Sequence, residues 1–337
     1  MVRNVCKVVL GLLLVLVIAV AGCGEADQGA EPTQGEEFTM RMGHSMSPDA
    51  MTAHAAELLG KTVEARSDGR IKFEYFPGAQ LGSAPEIIEQ VRTGALEMSP
   101  NALMYFSEMV PYASALDLPF LWENSLDAWL AYHGPAMDMI EKDLEQAGWK
   151  VVGWTCYGPR DDCGQKPLLT AADYSGVKWR VPPSPIYVKT WEAWNAKPVS
   201  VPMGEVFTAL EAGVVDGVSF DAETLLTQKF YEVAKYVTMS GWVHTFTPYT
   251  ANKEWYDNLP RDLQDLIVEC AEMNGDWLSV TIERLRWESA EKMEQLGATV
   301  NVLPPDEKAK LKEMVKPVYD YARQEYGDEF IDLLLGQ

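Results

Sequence analysis

The sequence predicts an α/β protein with two domains, and three observations lead to this prediction. The chain has 337 residues, and globular chains of that length usually divide into two domains. Strand-like apolar runs alternate with helical periodicity over 38–76 and again over 177–236, which is typical of sheets with parallel strands. Helical periodicity also continues over 262–295, and a helix of that length can cross between two lobes.

The first half opens with a strand, a helix and a second strand, which is how a doubly wound half begins. Pro85 lies early in the next helix, where its missing N–H costs nothing. The predicted elements are, in order, strand 38–45, helix 49–66, strand 71–76, helix 85–93, strand 98–101, helix 125–147 and strand 151–156.

The second half repeats the alternation and adds two signals that end helices. Gly213 can end the helix before it in a left-handed conformation. Pro317 lies inside a helical stretch and predicts a kink or break there. The predicted elements are, in order, strand 177–181, a short helix around 191–194, strand 199–201, helix 203–212, strand 214–220, strand 243–252, helix 262–295, strand 297–303 and helix 306–326.

Charge and motif content exclude several classes of function. The chain has 28 Lys and Arg against 50 Asp and Glu, a formal net charge of −22. Such a surplus disfavours nucleic acid and anionic membrane surfaces as partners, although a locally positive pocket can still bind an anion. The four histidines form no HExxH, zinc or triad pattern, and there is no GxSxG. The sequence therefore predicts no catalytic residue, no metal site and no cofactor.

The N-terminus has the pattern of an export signal. Residues 1–22 combine a basic start, a short apolar run and small residues at the end, which predicts a signal peptide rather than a membrane span. The four residues up to Cys23 resemble a bacterial lipobox, in which the cysteine is lipidated; ordinary cleavage with an incidental Cys23 is the alternative. Residues 23–37 are acidic and lack large apolar side chains, so we expect a disordered tether.

Two cysteines bracket a short predicted loop. Cys156 and Cys163 lie on either side of YGPRDD, and an exported protein can join two near cysteines in a disulfide. The alternative is two reduced, buried thiols. Zinc binding is disfavoured because no histidine lies near this loop.

Five motifs in a fixed order carry a resemblance to a known family. They read FPGAQLGSAPEIIEQVRTGALEM, LDLPFLWEN, GVKWRVPPSP, KPVSVPMGEVFTALEAGVVDGV and KFYEVAKYV. From about Phe38 to near the C-terminus, the chain resembles the solute-binding subunits of tripartite ATP-independent periplasmic (TRAP) transporters, the DctP-type family, also called bacterial solute-binding protein family 7.

The resemblance implies a fold and a division of the chain. The fold would be the two-lobed periplasmic-binding-protein type, with a hinge and a long helix that crosses both lobes. One lobe would hold 38–156 and 246–285, and the other 157–245 and 286–337. The ligand would lie in the cleft between them.

Two arginines are the leading candidates for binding an anion. Arg180 lies in the otherwise apolar run VKWRV, so burying its charge requires a partner. Its planar guanidinium can pair both oxygens of a carboxylate, and the resemblance implies that this carboxylate belongs to the ligand; an internal acid is the alternative. Arg160 matches the family position of a second cationic contact, although Asp161 and Asp162 beside it could neutralise it.

One position departs from the family pattern. The family commonly has an asparagine three residues after the glycine of Val-Asp-Gly, and this chain has Phe220 there. An aromatic side chain favours a ligand with an apolar or ring portion and makes a sugar acid such as sialic acid a poorer fit. Asp221 could accept from a hydroxyl or amine if it faces inward, and otherwise is a solvated turn residue. Met203, where the family often has an aromatic residue, is either a pocket wall or core.

Four further residues are candidate contacts with weaker support. Asn101, Ser83 and His44 follow or flank predicted strands of the first half and could supply hydrogen bonds from the opposing lobe; otherwise they are ordinary polar loop residues. Trp179 is the fourth, in the ligand-side segment beside Arg180, with core packing as its alternative.

The resemblance implies that the protein captures a small organic acid outside the cytoplasm and delivers it to the TRAP permease subunits. It would lie in the periplasm or cell envelope, anchored by lipid at Cys23. Two alternatives are a binding protein that presents its ligand to a sensor and an extracytoplasmic enzyme on the same scaffold. An aromatic or branched monocarboxylate, a keto acid, a dicarboxylate and a zwitterion all remain open as the ligand.

Overall fold

The computed structural model of the protein describes residues 36–131 and 134–336. The predicted leader 1–22, Cys23 and nearly all of the predicted tether 23–37 lie outside the described residues. In the part of the chain that is described, no helix combines the length and the apolar character that a membrane span requires.

Strands and helices alternate through most of the described chain. The strands are β1 (Phe38–Gly43), β2 (Ile71–Phe76), β3 (Met98–Pro100), β4 (Trp149–Gly164), β5 (Lys178–Val181), β6 (Lys197–Ser200), β7 (Gly217–Asp221), β8 (Tyr236–Met239), β9 (His244–Asn252) and β10 (Thr299–Val302). The α-helices are α1 (Met51–Arg66), α2 (Ala84–Arg92), α3 (Ser125–Leu130), α4 (Pro135–Gln146), α5 (Pro185–Ala193), α6 (Val206–Glu211), α7 (Ala222–Thr227), α8 (Phe230–Val233), α9 (Lys253–Asp257), α10 (Arg261–Gln295), α11 (Pro305–Met314), α12 (Lys316–Tyr326) and α13 (Asp328–Leu334).

The strands form two mixed sheets that share β4. Their order is β2-β1-β3-β9-β4-β7-β5-β6, and β8 pairs with both β4 and β10. Strand β1 is parallel to β2 and β3, and β5 is parallel to β6 and β7, as the alternation of strands and helices predicts. Strands β4 and β9 run antiparallel to each other, β9 also to β3, and β4 also to β7 and β8, so neither sheet is purely parallel.

Strand β4 passes from the first sheet into the second. Its residues from Trp149 to Pro159 pair with β9, whereas Arg160 to Gly164 pair with β7. The pairing with β9 shifts register between Cys156 and Pro159, and such an irregularity accommodates a proline within a sheet. The strand is therefore continuous where the sequence predicted a loop.

The predicted disulfide between Cys156 and Cys163 is wrong. Both thiols are free and buried, and the Sγ of Cys163 donates to the carbonyl oxygen of Ala234 at 3.0 Å. Seven positions along an extended strand place the two cysteines roughly 20 Å apart, whereas a disulfide needs Cα atoms within about 7 Å. The prediction failed because it assumed that the segment between them turns back on itself.

Helix α10 confirms the predicted long helix and contacts both sheets. Near its start, Leu263 and Ile267 pack in the core of the first sheet, and near its end Ala290 and Met293 pack in the core of the second. It lies very close to β4: a Cβ at Gly275 would be 1.9 Å from the carbonyl oxygen of Trp154. Only glycine fits this approach without moving the backbone.

Two other helical predictions met different outcomes. The predicted helix 125–147 is two helices, α3 and α4, and Pro135 begins the second of them. The predicted break near Pro317 is confirmed, because α11 ends at Met314 and α12 begins at Lys316. The C-terminal helices then pack on the first half of the chain: the hydroxyl of Tyr319 donates to the carbonyl oxygen of Pro119 at 2.8 Å.

Candidate functional site

Two adjoining cavities lie where strands of both sheets end, which is where open α/β sheets bind their ligands. We call them the outer cavity, of about 810 Å³, and the inner cavity, of about 40 Å³. Ser45, Tyr105 and Met203 line both of them. The outer cavity is further lined by Ser83, Arg180, Phe207 and Phe230, and the inner cavity by His44, Asn101, Tyr157, Arg160, Phe220 and Asp221, among others.

Arg180 points a partly unused guanidinium at the outer cavity. It lies next to the end of β5 and is 3% exposed. Its Nε donates to the carbonyl oxygen of Val201 at 2.9 Å, whereas its buried Nη2 has no hydrogen-bond partner among the described residues. Burial lowers the pKa of Arg180 to about 10, and the nearby Tyr105 opposes that shift. Arg180 is therefore still a cation at neutral pH and has donors available for an anion.

Arg160 lies on β4 at the inner cavity and is also buried. Its Nε donates to the Oγ1 of Thr245, and its Nη1 to the carbonyl oxygen of Ser219, both at 2.8 Å. Neutral oxygens thus hold the side chain in place without cancelling its charge. Together with Arg180, it gives the cavities two buried cations, and the charge of Arg160 opposes the rise that burial causes in the pKa of Asp221, which lines the same inner cavity.

The acids next to Arg160 in sequence do not neutralise it. Asp161 accepts two hydrogen bonds from Arg286, at 2.8 and 2.7 Å. Asp162 accepts a hydrogen bond from the hydroxyl of Tyr174 at 2.8 Å. Asp117 is near enough to interact electrostatically with Arg160: burial raises the pKa of Asp117 to about 7, and Arg160 opposes this. Within the described residues, neither Arg160 nor Arg180 forms an ion pair with a carboxylate.

Phe220 lies close to both cations. The Cζ atoms of Arg160 and Arg180 are each 5.1 Å from the centroid of its ring, which is within the range of cation–π attraction. Its other neighbour is Phe230, at a centroid distance of 5.4 Å in a stacked arrangement. The ring is 7% exposed and lines the inner cavity. It presents an apolar surface beside the two guanidinium groups.

Asp221 lines the inner cavity and is buried, so it is not a solvated turn residue. It caps α7: one carboxylate oxygen accepts from the backbone N–H of Thr224 and the other from its hydroxyl, both at 2.8 Å. Burial raises the pKa of Asp221, and the bonds from Thr224 oppose that shift. These two hydrogen bonds hold the Asp221 side chain in place, which gives it a structural role at the start of α7.

The structure brings four more predicted residues to the cavities. Met203 lines both. His44 and Asn101 line the inner cavity, where the Nδ2 of Asn101 is buried without a partner among the described residues. Ser83 lines the outer cavity and also forms a capping box with Glu86 at the start of α2.

Trp179 is not brought to either cavity. Its ring stacks on Trp191 at a centroid distance of 4.5 Å, and its Nε1 donates to the Oγ of Ser219 at 2.9 Å. A Cβ at Gly217 would lie 2.3 Å from the Trp179 ring, so a glycine on β7 makes room for it. The expectation of a ligand contact fails because neighbouring side chains on a strand point to opposite faces: Arg180 faces the cavity and Trp179 the core.

Sequence reasoning missed several residues that line the cavities. Tyr105 lies in the 3₁₀ turn Leu103–Phe106 and lines both cavities, whereas Tyr157 and Thr245 line the inner one. Tyr157 belongs to the same strand as Arg160, which is a signal that could have found it. No local sequence pattern identifies Tyr105 as a cavity residue, because its position at the cavities depends on the pairing of strands that are distant in sequence.

Glu223 connects α7 to the first turn of α1 near these cavities. Its Oε1 accepts from the backbone N–H of Met51 at 3.0 Å, and its Oε2 is buried without a partner among the described residues. Burial, together with the charge of Asp221, raises the pKa of Glu223 to about 8.

We expect the variant Glu223→Gln to become more stable than the parent protein as the pH rises. The folded-state pKa of about 8 exceeds the ordinary value of 4.5, so the folded state holds this proton more tightly than the unfolded chain does. The contribution of Glu223 to stability is complete below pH 4.5 and is lost as the pH rises to about 8. Glutamine keeps the acceptor for Met51 and stays neutral, so the advantage of the variant should grow by up to about 1.4 kcal/mol per pH unit.

Urea unfolding across this pH range measures the effect. Glu288→Gln is the matched control, because Glu288 lines the same surface depression as Glu223 but its side chain is 54% exposed. A variant Glu223→Gln that is less stable than the parent at the upper end of the range would contradict the assignment.

The fold and the cavities define a class of protein: two α/β halves joined by β4, β9 and α10, with buried cations between them. The chain matches the family model described as "Bacterial extracellular solute-binding protein, family 7" over residues 42–325. It therefore belongs to that family, and the expected resemblance is confirmed.

Relatives and solved structures agree with this family. The chain is 27% identical over 265 residues to the 2,3-diketo-L-gulonate-binding periplasmic protein of Escherichia coli (strain K12), covering 78% of this chain and 80% of that protein. It is 28% identical, with a TM-score of 0.84, to a TRAP periplasmic solute-binding protein of Desulfovibrio salexigens with bound orotic acid. That match covers 88% of this chain and 97% of the other. It is also similar to the sugar acid binding protein of Advenella mimigardefordensis in complex with galactonate, with 25% identity and a TM-score of 0.86. That match covers 89% of this chain and 97% of the other.

The fold is accordingly the two-lobed fold of TRAP periplasmic solute-binding proteins, with α10 as the long helix that contacts both lobes. The family is one of solute-binding proteins rather than enzymes. Within the described residues, no cluster of three or more His, Cys, Asp and Glu side chains could hold a metal ion.

Proposed function

We propose that this protein captures a small organic acid between its lobes through Arg180 and delivers it to the permease of a TRAP transporter. The observation that carries the proposal is the unused, buried Nη2 of Arg180 at the outer cavity. A buried cationic donor without a partner is costly, and a carboxylate from the ligand would satisfy it with two parallel hydrogen bonds.

The two halves of the chain supply different side chains to the cavities, and the proposed mechanism follows from this division. The acid docks first on Arg180, which belongs to the second sheet together with Phe220. The lobes then close by bending at the hinge, and Asn101, His44 and Ser83 from the first half complete the site. Closure excludes water, which strengthens the pairing of the carboxylate with the guanidinium.

The proposed lobes are 38–156 with 246–285, and 157–245 with 286–337. The change of pairing partner along β4, at Arg160, supports a boundary near that position. The contact of Tyr319 with Pro119 means that the C-terminal helices would also touch the other lobe.

The class of ligand is supported by the relatives and by the lining of the cavities. The ligands named for the three relatives, diketogulonate, orotic acid and galactonate, are all carboxylic compounds. Met203, Phe207 and Phe230 give the outer cavity an apolar wall. An acid with some apolar surface fits both features.

We also propose that the protein is exported and held at the membrane. Relatives of this chain are named as periplasmic proteins. We propose that the leader 1–22 directs export, and that lipid on Cys23 anchors the protein while the tether 23–37 spaces it from the membrane. Mass spectrometry of the N-terminal peptide tests this: an acylated Cys23 supports the anchor, and an unmodified one contradicts it.

A thermal-shift screen of ligand-stripped protein tests the binding function. The panel contains organic acids of several shapes, with amines and neutral sugars as controls. A ligand at 100 times its dissociation constant adds about 2.7 kcal/mol to the free energy of unfolding, which raises the melting temperature measurably. We expect shifts only with carboxylates. Shifts confined to amines or neutral sugars would overturn the proposal.

A further inference from the structure

The hydrogen-bond contacts around His44 favour one tautomer of its ring. The ring Nδ1 lies 3.2 Å from the hydroxyl oxygen of Tyr75. The single hydrogen of that hydroxyl is donated to the carbonyl oxygen of Ala53 at 3.0 Å, and a carbonyl oxygen can only accept. The Tyr75 oxygen is therefore the acceptor towards His44, and the ring carries its hydrogen on Nδ1.

The other ring nitrogen, Nε2, then has a lone pair and no hydrogen. Burial lowers the pKa of His44 to about 3, so the ring is neutral at physiological pH. Nε2 has no hydrogen-bond partner among the described residues, and His44 lines the inner cavity. His44 thus offers the cavity a hydrogen-bond acceptor.

The inner cavity also offers donors, and it is small. Arg160 lines it, and so does Asn101, whose Nδ2 is buried without a partner in the described part of the chain. Its volume of about 40 Å³ is much smaller than the 810 Å³ of the outer cavity. A group that matches both sides of the cavity donates to His44 and accepts from Asn101 or Arg160. A hydroxyl can do both, whereas a keto oxygen can only accept.

We propose that the bound acid carries a hydroxyl, or an N–H in its place, next to its carboxylate, and that His44 Nε2 accepts a hydrogen bond from it. This inference rests on the proposed function and narrows its ligand class: hydroxy acids are favoured over keto acids and over acids without the substituent. Tyr75 acts as a positioning residue, because it fixes the tautomer of His44 without lining either cavity.

Matched acids that differ only at this position test the inference. Calorimetry of the purified protein compares each 2-hydroxy acid with its 2-keto and unsubstituted partners, using the lactate, mandelate and 2-hydroxyisocaproate series as probes. A site that hydrogen-bonds a hydroxyl discriminates strongly against analogues without it. In the best-binding series, we expect the hydroxy acid to bind at least about tenfold tighter than both partners.

Two variants separate a direct hydrogen bond from a structural role. His44→Phe keeps a ring of similar size without the acceptor, so the preference for the hydroxy acid should disappear. Tyr75→Phe keeps the imidazole and releases its tautomer, so the keto acid should gain affinity relative to the hydroxy acid. The ¹⁵N chemical shifts of the histidine ring in the unsubstituted protein report the tautomer directly, whatever the folding of the variants.

Each outcome decides the inference. Equal or tighter binding of the keto acid, or a hydrogen found on Nε2, overturns it while leaving capture of acids intact. Binding of no acid overturns both proposals. A hydroxy preference that survives in His44→Phe also overturns it, because another residue would then be the acceptor.

Discussion

Arg180→Ala is expected to weaken binding of the cognate acid by at least about thirtyfold while the protein stays folded. Truncating one partner of a buried, hydrogen-bonded charge pair typically costs about 2–5 kcal/mol of binding free energy. The stability of the ligand-free protein should hardly change, because Arg180 has one side-chain hydrogen bond to Val201 and no ion pair within the described residues. Calorimetric titration and thermal unfolding measure the two quantities.

Two further variants sharpen this test. Arg180→Lys keeps the charge but loses the planar pair of donors, so we expect an intermediate loss of affinity. Lys178→Ala is the matched control: Lys178 lies two positions earlier on β5 and is exposed. Unchanged affinity in Arg180→Ala, or an equal loss in Lys178→Ala, would contradict the role of Arg180.

Arg286→Ala is expected to cause a large loss of stability, much larger than the loss caused by removing an exposed charge. Asp161 is 0% exposed and is held by two hydrogen bonds from Arg286 and one from the backbone N–H of Gly241 at 3.1 Å. Removing Arg286 leaves a buried carboxylate without its counter-charge, which typically costs about 3–5 kcal/mol. Urea unfolding gives the free energy directly.

Arg284→Ala is the control for that variant. Arg284 lies on the same helix, α10, and pairs with Glu288 at the surface, where the two side chains are 61% and 54% exposed. Exposed pairs contribute about 0–1 kcal/mol. The double change Asp161→Asn with Arg286→Met removes both buried charges and should recover part of the loss. Similar losses in Arg284→Ala and Arg286→Ala would show that burial of the Asp161 pair is unimportant.

The sequence predicted the parts of the fold that depend on local pattern. Helix α10 was predictable because apolar residues such as Leu263 and Ile267 recur at helical spacing and no proline interrupts them. The continuation of strand β4 beyond Cys156 was not predictable, because Gly158 and Pro159 have the local character of a turn. Its continuity depends on pairing with β9, about ninety residues later, and no local pattern reports such a contact.

The site was predictable to the extent that the family motifs mark it. Arg180 and Met203 lie in those motifs, and Phe220 follows the fourth motif by two residues; all three line the cavities. Trp179 also lies in a motif but faces the core, because its strand position decides which face it presents. Tyr105 was missed because it comes from a 3₁₀ turn outside the five motifs and reaches both cavities through the tertiary fold.

The most direct test of the account is a crystal structure of the protein with the acid that gives the largest thermal shift. We expect both carboxylate oxygens to accept hydrogen bonds from Arg180 at about 2.7–2.9 Å, with the unused Nη2 now satisfied and Phe220 beside the ligand. A carboxylate bound away from Arg180, with Nη2 still without a partner, would contradict the central claim that this buried guanidinium captures the ligand.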